Sequence, residues 1–125
     1  MRRILIALAS LTLLTAPALA DQVADAKAAI ASAGLSKPVD KYLWCGAAFT
    51  IMAVVMDDPT QQKNARDAAT VLFRMASPLL VAEGVAEADF SKLSGNYAIV
   101  VNSQLTTQGQ TPDYTQEDCS AALGA

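Results

Sequence analysis

Fifteen consecutive uncharged residues, Tyr42-Leu-Trp-Cys-Gly-Ala-Ala-Phe-Thr-Ile-Met-Ala-Val-Val-Met56, run between Asp40-Lys41 and Asp57-Asp58. At helical spacing, Tyr42, Cys45, Phe49, Met52 and Met56 form one stripe, and Trp44, Ala48, Ile51 and Val55 form another. A helix that is apolar all round belongs in a protein core or in a membrane. Spanning a bilayer takes about 20 apolar residues. The shorter run bracketed by charges therefore predicts a central core helix rather than a span. Gly46, Ala47 and Ala48 would let a neighbouring helix approach closely.

The surrounding sequence supplies helices to pack against it. Upstream, Gln22–Ala33 is Ala-rich, repeats apolar residues at Val23, Ala26 and Ile30, and stops at Gly34. Ser36-Lys37-Pro38 reads as the start of the central helix, with Ser36 as cap and proline in the first turn. Downstream, Asp57-Asp58-Pro59-Thr60 is a turn feeding a third helix from about Gln61 to Glu83. The core stripe expected there is Ala68, Val71 or Leu72, Met75 and Leu79. Pro78 cannot donate to the carbonyl of Arg74 and should kink or end this helix, and Gly84 is the next stop signal.

A fourth helical face repeats Ala86, Phe90, Leu93, Tyr97, Val101 and Leu105. Tyr97–Asn102 also reads as a β-branched strand after Gly95, so a break is possible there in an otherwise helical segment. A polar loop of about nine residues with Gly109 and Pro112 follows. Thr115-Gln116-Glu117-Asp118 resembles a capping box and launches a short last helix through Leu123, ended by Gly124. The expected fold is all-α: a bundle of four main helices plus a short C-terminal helix, in one domain over residues 21–125.

The first 20 residues read as an export signal. Arg2 and Arg3 precede the apolar run Ile4–Leu14, and Ala18-Leu19-Ala20 is a small-x-small cleavage site before Asp21. A run of eleven residues is too short to anchor the chain as a helix. The reading places the protein in the periplasm, with no stable membrane span after cleavage. Cys45 and Cys119 are the chain's two cysteines, and in an oxidising compartment two cysteines of one small domain pair. Their 74-residue separation gives the bond a chain-entropy stabilisation of roughly 4.5 kcal/mol. The competing reading, a reactive thiol, lacks a C-x-x-C motif, and Cys45 lies in an apolar run that would raise a thiol pKa.

Composition excludes more than it assigns. Nine basic residues stand against twelve acidic ones, −3 for the whole chain and −5 without the leader, which argues against nucleic acid as a partner. The chain contains no histidine, so the commonest general base and zinc ligand are missing. The carboxylate pairs Asp57-Asp58 and Glu117-Asp118, and the looser set Glu83, Glu87 and Asp89, sit at turns and helix starts, where capping and the helix dipole favour acids. Ser36-Lys37 and Ser91-Lys92 are neighbours in sequence only. No catalytic residue, metal ligand or cofactor is therefore named. Trp44, Phe49, Met52, Phe73 and Phe90 are the candidate lining of an apolar ligand site, with Met56 and Met75 as further soft side chains. Arg74, flanked by apolar residues two turns after Asp67, is a candidate anion contact or a partner for that acid.

Trp44-Cys45 followed by Phe49, with Tyr114-Thr115-Gln116-Glu117-Asp118-Cys119 near the end, resembles small exported two-cysteine helical proteins of alphaproteobacteria. The plan is also similar to that of periplasmic acid-stress chaperones, which carry an aromatic residue near the first cysteine and a disulfide between two helices. Here the cysteine separation is wider and the tail acidic rather than lysine-rich. The resemblance implies a non-enzymatic periplasmic binding or interaction protein, chaperone-like under envelope stress, with other envelope proteins as partners. The alternative is a carrier holding a small apolar ligand in the bundle core.

Overall fold

The computed structural model describes residues 16–124, with side chains from residue 19. Most of the expected leader thus lies outside the described residues. Five α-helices follow in order: α1 Ala16–Ala33, α2 Lys37–Val55, α3 Pro59–Ala82, α4 Phe90–Thr106 and α5 Gln116–Ala122, with a 3-10 turn at Glu87–Asp89 before α4. No strand occurs among the described residues. The all-α bundle of four main helices and a short fifth is as the hydrophobic periodicity predicts. Tyr97–Asn102 lies inside α4, which passes Gly95 without a break. Helix α1 begins six residues before Gln22.

Helix α2 is the hub. It packs along α3 on one side, and α4 and the short α5 also lie against it, while α1 packs on α4. The core runs through Val39, Leu43, Trp44, Cys45, Ala47 and Ala48 of α2, Leu72, Ala76 and Leu80 of α3, and Leu93, Tyr97 and Val101 of α4. Gly46 lets α3 approach: a Cβ placed there would stand 2.8 Å from the Phe73 ring. At the other end of the α2–α3 pair, Glu83 receives both the Ser36 amide (2.6 Å) and the Ser36 hydroxyl (2.9 Å). Ser36 occupies the cap position as expected, but its side chain makes no cap bond to α2. The cross-helix bonds to Glu83 replace it.

Two expectations about burial need correction. The central segment is not buried throughout: Val54 and Val55 are 80% and 71% exposed at the end of α2. They lie in the last turn of α2, just before the chain turns into α3 at Pro59. On α3 the buried stripe is Ala65, Ala69, Leu72, Ala76 and Leu80, one residue off the stripe Ala68, Val71, Met75 and Leu79. Of the Val71-or-Leu72 alternative, Leu72 is the buried member, whereas Val71 and Leu79 are exposed and Ala68 and Met75 half-buried. Three of the five buried residues are alanine, which lets the two helices come close. Helix α3 runs one turn past Pro78, whose exposed ring lies on the solvent side, and Gly84 turns the chain away just after its end at φ +89°.

Candidate functional site

The end of α2, the end of α4, and the segment leading into α5 enclose an open groove of about 370 Å³. Trp44, Ala48, Phe49 and Met52 form one wall, Leu105 comes from α4, and Pro112, Tyr114 and Cys119 close the other side. Thr111, Thr115 and Gln116 are its only polar lining, and no charged side chain faces it. The size falls within the range of small-ligand sites, which are mostly apolar with a few polar groups.

The far wall is a loop and a seven-residue helix, pieces too short to hold a conformation alone. Three devices fix them. The first is the disulfide: Cys45 and Cys119 are bonded, joining α2 to α5 with Cα atoms 5.4 Å apart, and both are buried. The second is the capping box, in which the Thr115 amide donates to Asp118 (2.8 Å) and the Asp118 amide to Thr115 Oγ1 (3.1 Å). These bonds hold the Asp118 carboxyl below its usual range.

The third device is a polar layer behind Trp44. Asp40 of α2 accepts Tyr97 Oη on one oxygen (2.5 Å) and Tyr114 Oη on the other (2.6 Å). Trp44 Nε1 donates to Gln104 Oε1 (2.9 Å), which also takes the Asp113 amide (3.0 Å), while Gln104 Nε2 donates to Asp113 (3.1 Å). The Trp44 and Tyr114 rings meet edge to face at 5.6 Å, and Lys41 Nζ lies 5.9 Å from the Tyr114 ring centre. Among the described residues, every buried side-chain nitrogen and oxygen has a hydrogen-bond partner. A fully satisfied layer of this kind costs little to bury and fixes one arrangement.

Burial, together with the Asp40 carboxylate, pushes the Tyr97 and Tyr114 hydroxyls above the ordinary tyrosine value of 10.0. The unfolded chain therefore releases these protons at lower pH than the folded one. The stability they contribute is complete below pH ~10 and is lost as pH rises above it. Two of the three tyrosines should accordingly ionise, in a spectrophotometric titration, only together with unfolding. Ionisation of all three in a still-folded protein near pH 10 would contradict this arrangement.

Of the five residues expected to line one apolar site, the structure brings together Trp44, Phe49 and Met52. Phe73 packs instead over Gly46, and Phe90, at the start of α4, packs against the core. Arg74 is exposed, and the pairing expected with Asp67 is absent: Asp67 is bonded to Lys63 at 2.8 Å. Lys63 precedes Asp67 by one turn, a closer register than Arg74 offers. One carboxylate of each expected set has a structural task. Asp58 caps α3 through the Gln61 amide (3.2 Å), Glu83 holds Ser36, and Asp118 completes the capping box. No group of three or more metal-ligating side chains forms among the described residues. Sequence patterns gave no sign of Asp40, Gln104 or Asp113 as a set, because each sits on a different element and no local spacing relates them.

Compared with protein-family models, curated proteins and solved structures, this chain finds no match.

Proposed function

We propose that the protein is a non-enzymatic binding protein of the cell envelope that carries a small apolar ligand in the groove beside the disulfide. The supporting observation is the groove itself. About 370 Å³ of apolar space, without a charged side chain in its lining, is held open by a covalent bond and a saturated polar layer. An envelope location is supported by the same bond, since such disulfides persist in oxidising compartments. The polar groups near the groove are spent on one another, and the proposal assigns them positioning rather than chemistry.

Trp44 is the chain's single tryptophan and forms part of the wall, so its emission reports the site directly. Titration with N-phenyl-1-naphthylamine, an uncharged apolar probe, should quench Trp44 by energy transfer and saturate at one probe per chain. Met52→Lys should abolish uptake while leaving the helical circular dichroism intact. Wild-type emission that stays unchanged across the titration would reject the carrier reading.

A second reading, docking of another envelope protein, is favoured by Val54 and Val55, which stand exposed two and three residues beyond Met52 on the same helix. Chaperone-like protection of such partners would use this wider surface.

A further inference from the structure

The groove does not end at its apolar wall. Thr115 and Gln116 line it and also line a second, shallower depression, where Glu117, Ser120 and Ala121 complete the surface. The two halves of this surface meet at Thr115 and Gln116, so a hydroxyl and an amide lie between an apolar slot and a carboxylate. Neither half contains a lysine or arginine. Lys37 and Lys41 face a third depression, which meets the acidic one at Ala121, and Lys41 lies over the Tyr114 ring. The start of α5 offers an anion little, because the Thr115–Asp118 capping box already fills it with the chain's own carboxylate.

We infer that the ligand is a cationic amphiphile: its apolar body lies along Trp44, Phe49 and Met52, and its positively charged head rests at Glu117 beside Ser120. This rests on the carrier reading and adds the head-group chemistry to it. Charge complementarity is the argument. An anionic head at the same place would face Glu117 with no cation in the lining to offset it. Exposed charge pairs interact weakly, so the expected discrimination is about two- to fivefold rather than absolute.

Three probes with the same decyl chain separate the possibilities: decyltrimethylammonium, decyl maltoside and decyl sulfate, each titrated below its micelle-forming concentration and followed by Trp44 emission. The cationic probe should bind about two- to fivefold more tightly than the maltoside, and the sulfate more weakly than either. The preference should shrink as salt rises from roughly 20 to 200 mM. Glu117→Gln should remove most of it without changing maltoside affinity. Glu87→Gln alters the net charge equally on the distant 3-10 turn and should leave the preference in place. Equal affinities for the three probes, tighter sulfate binding, or equal effects of the two variants would overturn the head-group assignment while the carrier reading stood. Absence of binding by all three would overturn both.

Discussion

Removing the Cys45–Cys119 bond, in a Cys45→Ala/Cys119→Ala double variant, lowers the unfolding free energy by about 3–4 kcal/mol in urea titrations. The chain-entropy model gives roughly 4.5 kcal/mol for a bond closing so long a loop, and the unfolded chain's residual structure reduces that figure. Against the ~5–15 kcal/mol typical of a domain, this is a large share. The structure adds a local consequence. Helix α5 has seven residues and packs chiefly on α2, with the disulfide at its centre. Without the bond, α5 loosens before the rest of the bundle. Probe uptake at Trp44 should then fall away while most of the far-ultraviolet helical signal remains. Unchanged midpoints in the double variant would remove the disulfide from its assigned role.

The second large effect is expected at Asp40. Truncation to alanine leaves the Tyr97 and Tyr114 hydroxyls without their acceptor, and both residues are buried. A buried hydroxyl deprived of its partner costs about 1–3 kcal/mol, so Asp40→Ala should destabilise the fold by about 2–4 kcal/mol. Asp40→Asn keeps one carbonyl oxygen and should recover part of the loss. The discriminating measurement is a mutant cycle: in a Tyr97→Phe/Tyr114→Phe background, the same Asp40→Ala change should cost well under half as much. An undiminished cost in that background would mean that Asp40 acts through something other than the two hydroxyls.

The helices, the core role of Leu43–Ala48 and the cysteine pairing were legible in the sequence, because each follows from local periodicity or from simple counting. The α3 stripe was not. In an alanine-rich helix the contrast between faces is low, and Val71, Met75 and Leu79 repeat at the same helical spacing as the face that is buried. The inner face combines Ala65, Ala69 and Ala76 with Leu72 and Leu80, so small size at three of five positions matters there as much as hydrophobicity.

The candidate site was half legible. Trp44, Phe49 and Met52 share one helix and could be read together. Leu105, Pro112 and Tyr114 join them only through the disulfide and the polar layer. Asp40 and Tyr114 are separated by 74 positions, and nothing in either neighbourhood announces the other. Phe73 and Phe90 illustrate the converse limit: aromatic type marks a residue for burial without saying beside which neighbour.

Tyr114 presents its ring to the groove and gives its hydroxyl to Asp40, so two sites press on a single rotamer. Thermodynamic reciprocity follows. Whatever binding free energy an occupant draws from having that ring in place, the occupant returns to the carboxylate contact in equal measure. On the carrier reading, Asp40 would thereby set part of the affinity without touching the ligand, and a loaded molecule would hold its own interior more firmly than an empty one.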